Sequence, residues 1–394
     1  MSSETLTLVA VGDTTPAKEP ESADFLFTHA HDILDRGDVR FAQVERLFSK
    51  RGTFQLQGNA PKTRVDPERA TAYRAAGFDV VSLASNLTGS WGPEAVVDSV
   101  DTFTNLGIVA IGAGATIAEA RKPAVFERNG ITIAILAYCS VLLPQYWATE
   151  DRAGAAPMRA KTYYEPYEYQ PGSPPRVVTY PVEADLQALV ADVRKAKQTA
   201  DHVVVSIHWG VHHVPRPLAD YQPVVAHAAI DAGASVILGH HPHLMQGIEK
   251  YRDGVIFYAL GNFAFQQQNA APGVPHHPSP CSPNGEYTIA EVYSRELGPD
   301  LRYDFDQYFR EAGAACLTFS RDRLESARLI PTRLNDRSQP EVQTDEQRAI
   351  TRRYLEWCGA GIPGGMTRID EIDGEFVISS HAPPTYPTMS PEVQ

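Results

Sequence analysis

Between residues 6 and 256 short β-branched apolar runs alternate with segments of helical period, the pattern of an α/β fold. Runs at 6–11, 39–42, 80–84, 203–207, 236–238 and 255–260 read as buried strands. A helix is expected over 22–36, with Ser22 as N-cap, Leu26, His29, Ala30 and Ile33 on one face, and Gly37 as stop. Asp66-Pro67-Glu68 opens another, with a cap, a first-turn proline and an acid near the positive end of the dipole, and Gly77 closes it. Further helices fit 93–105, 183–197 and 222–232; in the second, Leu186, Leu189, Val190 and Val193 make one apolar stripe. His29 and His227 fall inside expected helices and His202 just before a strand, so all three read as structural or surface residues.

Two stretches break the alternation. Residues 146–181 are rich in Tyr, Pro and Gly, and 266–283 mix Gln and Pro with His276 and His277. Long irregular insertions in a compact domain act as lids or lack order, and the exposed cost of aromatic side chains favours an ordered lid for the first. These are insertions in one domain over 5–340; residues 341–394 add a helix from Thr344 to about Trp357, a short strand at 375–378 and a loose Pro-rich tail.

The chemistry lies where the apolar runs stop. They end, in order, in Gly12-Asp13, Gln43-Val44-Glu45, Ser85-Asn86, His208-Trp209-Gly210, Gly239-His240-His241-Pro242-His243 and Gly261-Asn262. Carboxyl ends of strands form the ligand-binding edge of α/β sheets. Acids and imidazoles delivered together to that edge suit Mn²⁺, Fe²⁺ or Zn²⁺ better than Ca²⁺ or Mg²⁺. Gly239 is expected to turn the chain sharply, and Pro242 to hold His241 extended so that His241 and His243 converge.

Composition narrows the partners. In 394 residues, 35 basic and 48 acidic side chains leave a net charge of −13, without any basic run, which argues against a nucleic-acid partner. Cys139, Cys281, Cys316 and Cys358 are far apart and read as free thiols. The first apolar run is too short for a membrane span and no basic region precedes it, so neither signal peptide nor anchor is expected and the expected compartment is the cytoplasm.

The strand-end motifs, together with Gly107-Ile108 and Gly112-Ala-Gly114, resemble in their order the motif set of the CapA/PgsA family of poly-γ-glutamate capsule proteins, over roughly residues 5–265. The resemblance implies a four-layer α/β/β/α sandwich of the calcineurin-like metallophosphoesterase type, with two divalent transition-metal ions. It places Asp13 and His243 on one ion, Glu45 as the bridge, and Asn86, His208 and His241 on the other. His240 then stands beside the site, free for proton transfer. Three departures stand out: Leu87 replaces a family histidine that protonates the leaving group in related phosphoesterases, Gln43 replaces an asparagine, and His212 stands where an acid is usual. His212 or His213 is a candidate replacement for the proton donor. Asn262 and Arg216, with Lys62 and Arg64, are candidate substrate contacts. The implied activity is hydrolysis of an anionic phosphoester or γ-glutamyl-type amide. An accessory role in poly-γ-glutamate assembly and a metal-dependent, iron-redox tailoring role remain alternatives.

Overall fold

Side-chain alternation along the strands sorts the chain into layers. The computed structural model describes residues 4–17, 21–55, 64–166, 172, 175–266, 289–298, 301–362 and 367–380, and its apolar runs form two large sheets. In the first, β1 (Leu6–Thr15), β2 (Val39–Val44) and β3 (Val80–Ser82) are parallel neighbours. In the second, β4 (Ile131–Cys139), β5 (His202–His208), β6 (Val236–His240) and β7 (Gly254–Phe257) also run parallel. The chain then returns to the first sheet. β8 (Asn262–Phe265) pairs in parallel with the end of β1, and β9 (Glu311–Phe319) pairs antiparallel with its beginning. β10 (Leu324–Leu334) follows antiparallel to β9.

Three apolar clusters define the stacking. Leu6, Leu8 and Phe41 of the first sheet meet Ile133, Val204, Val236 and Leu238 of the second in one buried cluster between the sheets. The opposite face of the first sheet, with Val9, Val11 and Val81, is covered by residues including Phe27, Tyr73, and Val96 and Phe103 of α1 (Pro93–Asn105). The opposite face of the second, with Val203, Val205 and Ile237, is covered by α2 (Glu183–Lys197) and α3 (Tyr221–Asp231). Helices, sheet, sheet, helices is the four-layer order that the resemblance implies.

Local chemistry sets the element ends. α1 starts on Pro93, whose missing N–H is no loss at a first helical position. α4 (Asp345–Gly359) opens with a full capping box, in which the Thr344 hydroxyl accepts from the Gln347 N–H and the Gln347 side chain accepts from the Thr344 N–H. The helix expected over 22–36 is two short pieces instead, a 3-10 turn at Phe25–Phe27 and a helical turn at His31–Leu34. The helix expected from Asp66 is likewise a 3-10 turn, Pro67–Ala70, leading into Thr71–Ala75; Asp66 caps it and Gly77, at φ +76°, ends it.

The stretch at 146–181 is not irregular throughout. Its second half folds as an antiparallel hairpin of Ala160–Pro166 and Pro175–Pro181, docked where Asp220 accepts from the Thr179 N–H at the start of α3. Tyr163, Tyr164 and Tyr180 face solvent, 48%, 74% and 50% exposed, so the cost of hydrating aromatics does not bury them here. Most of the insertion at 266–283, with His276, His277 and Cys281, lies outside the described residues, as does the tail beyond 380. Beyond residue 340 the chain stays within the same architecture: Glu375–Ser380 pairs with β10 and Thr367–Ile372 pairs with Glu375–Ser380. Cys139, Cys316 and Cys358 are free and buried.

Candidate metal centre

Register brings the acids inward. Along β1 the even positions Leu6, Leu8 and Ala10 face the second sheet, which would turn Asp13 outward. A bulge between Val11 and Asp13 shifts the pairing, so that Asp13 lies opposite Gln43 and shares the inner face with Phe41 and Glu45 of the β2 run. Gly12 permits this. A Cβ there would stand 2.1 Å from the Gly261 carbonyl oxygen, the same oxygen that accepts from the Asp13 N–H at 2.9 Å. From the other side, His208 at the end of β5 and His240 at the end of β6 are register partners, and both project between the sheets.

These residues converge. One ligand atom from each of Asp13, Glu45 and His208 lies within 4.8 Å of the others, and all three residues are buried. His208 Nε2 is 3.1 Å from Glu45 Oε1, His243 Nε2 is 3.4 Å from Glu45 Oε2, and His240 Nδ1 is 3.5 Å from Asp13 Oδ1. The His208 and His241 rings are 4.9 Å apart. Asp13 Oδ1, Glu45 Oε1, Asn86 Oδ1, His241 Nδ1 and both ring nitrogens of His208 and His240 are buried without a hydrogen-bond partner. Native proteins rarely leave so many polar atoms unpaired in one place. The ligand atoms that converge, one each from Asp13, Glu45 and His208, fit a divalent metal ion.

The protonation states agree with that fit. Burial pushes His208 and His241 well below the usual histidine range, and neighbouring imidazoles push them further, so both rings are neutral with a lone pair to give. Burial, then the Asp13 carboxylate, raises Glu45 well above the usual carboxylate range. A cation would reverse that shift. Asn262 orients His243: its amide nitrogen donates to the carbonyls of His243 and Phe309, so its oxygen accepts from His243 Nδ1 at 2.8 Å. That fixes the tautomer and leaves Nε2, facing Glu45, as the ligand atom.

Several sequence expectations change here. Gly239 does not turn the chain; it lies within β6, where a Cβ would meet the Tyr258 carbonyl oxygen at 1.9 Å. The turn comes later, and His241 is not extended but at φ +100°, with His243 at φ +58°. Positive φ in two consecutive imidazole-bearing positions is backbone strain held at a site. Asn262 is not a substrate contact, because it is fully buried and its amide is engaged by His243 and Phe309. Arg216 is not free for substrate either: its guanidinium donates to the Trp357 carbonyl, lies 5.0 Å from the Trp357 ring and 3.6 Å from Glu296. Arg64 stacks on Trp91 and donates to the Arg51 carbonyl, and Lys62 lies outside the described residues. His240 is deeper than expected, 1% exposed against Phe41 and Asp13.

His212 lies beside the histidine loop. It is exposed, stacks on His213 at 3.7 Å, and lies 5.1 Å from the His241 ring and 5.0 Å from that of His243. Asn86 follows β3, the neighbour of the strand that leads to Glu45. His29, His202 and His227 are structural or surface residues: His202 bridges Ser235 and the Ser320 carbonyl, and His227 pairs with Glu249. One residue escaped the sequence reading. Arg46, next to Glu45, is 7% exposed, and a charged residue inside the run Val44 to Phe48 was the signal for it.

With the geometry in place, comparison with known proteins decides the family. The sequence profile of the bacterial capsule synthesis protein PGA_cap matches residues 7–267. The chain belongs to the PGA_cap family. The CapA relatives agree: "Capsule biosynthesis protein CapA" of Bacillus anthracis is 27% identical over 276 residues, covering 67% of this chain and 61% of the relative. "PGA biosynthesis protein CapA" of Bacillus subtilis (strain 168) is 28% identical over 250 residues, covering 63% and 59%. This PGA_cap chain thus spans about three-fifths of the length of these curated relatives. Among solved structures, the calcineurin-like phosphoesterase YfkN from Bacillus subtilis is 12% identical at a TM-score of 0.33, covering 90% of this chain and 99% of that one. Likeness of that size carries no weight on function. Among the described residues no helix is long and apolar enough to cross a membrane.

Proposed function

We propose that this PGA_cap protein is a metal-dependent hydrolase of an anionic small molecule, a phosphoester or a γ-glutamyl-type amide. The observation that carries the reading is the meeting of Asp13, Glu45 and His208, drawn from two sheets, amid buried nitrogens and oxygens that have no other partner. Asp13 with His243, and Asn86 with His208 and His241, would hold two divalent ions (Mn, Fe or Zn) with Glu45 between them, and His240 stands beside Asp13. Bound there, such ions supply an acidified water and stabilise developing negative charge. Asn262 fixes His243, and neutral His208 and His241 give their lone pairs. His212, exposed above His241 and His243, is positioned to protonate a leaving group in place of Leu87.

The test is elemental analysis of protein purified without chelators, beside a His241→Ala/His243→Ala double variant, followed by turnover assays on phosphoesters and γ-glutamyl amides. Wild type should carry one to two transition-metal ions per chain and the double variant none. His212→Ala should keep the metal and lose kcat by about 10²–10⁴-fold. A wild type that stays metal-free after supplementation would move an accessory role in poly-γ-glutamate assembly to first place. The names of the Bacillus relatives and Leu87 at the proton-donor position favour that second reading.

A further inference from the structure

The hairpin of Ala160–Pro166 and Pro175–Pro181 forms a two-stranded sheet of its own. Such ribbons are marginal without a further strand. Just outside it the Val182 N–H donates to the Arg159 carbonyl at 2.7 Å, and this sets the phase of the ladder. Lys161, Tyr163 and Glu165 bond inward, opposite Tyr180, Val178 and Arg176. Thr162 and Tyr164 therefore turn their N–H and C=O groups outward. The outer edge of the second strand is taken, since Asp220 at the start of α3 accepts from the Thr179 N–H at 2.9 Å. Along the outer edge of the first strand no strand pairs among the described residues.

An open edge of this kind is a template for another strand. The strand that its side chains fit is a second copy of itself. Outward from Tyr163, the run Lys161-Thr162-Tyr163-Tyr164-Glu165 carries opposite charges at equal distances. Laid antiparallel about a twofold axis at Tyr163, it sets Lys161 opposite Glu165 of the second copy and Thr162 opposite Tyr164 of the second copy. The phase of the ladder agrees with this register. Thr162 and Tyr164, whose N–H and C=O groups point outward, become the hydrogen-bonded pairs. Tyr163 with its own copy, and Lys161 with Glu165, fall on the non-hydrogen-bonded pairs, where side chains approach most closely. Tyr163 and Tyr164, both exposed in the single chain, would be partly covered.

We propose that this edge pairs with the same edge of a second copy of the chain, joining two hairpins into a four-stranded antiparallel sheet. The proposal is independent of the hydrolase reading, because the metal centre plays no part in it. Seven residues of edge make less than a standard-size interface, so the dimer forms reversibly with concentration.

The experiment is sedimentation velocity on the full chain over a concentration series, beside Thr162→Pro, Lys161→Glu and Glu165→Lys, with Tm measured on the same samples. Wild type should pass from monomer to dimer as concentration rises. Thr162→Pro deletes an outward N–H and leaves the hairpin's own ladder intact. The twofold axis repeats that loss, so the dissociation constant should rise on the order of tenfold to a hundredfold. Each charge variant sets like charges opposite one another and should stay monomeric to higher concentration than wild type. An equimolar mixture of the two charge variants restores opposite charges at both positions and should dimerise as wild type does. Wild type that is monomeric at its highest soluble concentration overturns the proposal. So does a wild-type dimer that Thr162→Pro leaves intact, because it would use another surface. Should Thr162→Pro lose its fold, the mixture decides: restored dimer supports the proposal, and a mixture no more dimeric than its components overturns it.

Discussion

Glu311, at the first position of β9, shows how much of this molecule depends on single buried polar groups. It is 1% exposed and accepts from Gln307 Nε2 and Thr351 Oγ1, yet burial pushes its carboxyl up to about 7. A carboxyl raised in the folded state favours folding while protonated. That contribution is complete below the unfolded value of 4.5 and is lost as pH rises through 7. The span corresponds to on the order of 3 kcal/mol. Glu311→Gln, neutral throughout, should therefore flatten the fall in Tm between pH 5 and 8. Equal slopes for the two proteins would show that Glu311 ionises without cost. Nothing in the sequence distinguishes this glutamate from any other at a strand start. Its environment comes from Gln307 and from Thr351 on α4, forty residues away in the chain. Asp13 and Glu45 differ, because Gly-Asp and an acid after an apolar run are visible motifs at the same kind of edge.

At the scale of elements, the centre depends on where strands bulge and touch. β1 carries its acid inward only because the bulge at Val11/Asp13 reverses the alternation, and β8 lies close enough to exclude a side chain at Gly12. Gly12→Ala should force the two strands apart, carrying Asn262 away from His243. A loss of about 1–3 kcal/mol or more is expected by chemical denaturation, together with a lower metal stoichiometry. Wild-type stability with full metal content would mean that the strands yield without disturbing the site. Helices that own their start signals were readable from sequence. α1 has its proline and α4 its capping box, and both lie within two residues of expectation. The helix expected over 22–36 was not, since its apolar positions are satisfied by two short turns whose Phe27, Ile33 and Leu34 join the cluster that holds Tyr73 and Phe78. Likewise the hairpin at 160–181 is made by cross-strand pairing that composition rich in Tyr and Pro hides.

At the scale of the whole molecule, the two sheets meet twice: through the apolar cluster between them and at the centre, where Asp13 and Glu45 of one face His208 and His240 of the other. A bound ion is then a link between sheets as well as a reagent. Chelation should lower Tm, and re-addition of the metal should restore it. At an ion concentration a hundred times its Kd the link is worth about 2.7 kcal/mol. A Tm indifferent to both treatments would mean that the sheets hold together without the ion. The same geometry explains the unpaired nitrogens of His208 and His240: each is oriented by its own strand, and only the stacking of sheets makes their lone pairs meet an acid.

The sequence alone determined the α/β class and the order of the strand-end motifs, because periodicity, caps and short motifs are local properties, while the layering and the candidate ligands came from the family resemblance those motifs carry. Tertiary structure decided which of those polar groups face one another and which are engaged elsewhere. It turned Asp13 inward by a bulge, gave Asn262 to His243 and Arg216 to Trp357, and left the Nε of Arg46 buried without a partner. Burial and pairing depend on neighbours distant in the chain, and no local pattern encodes them.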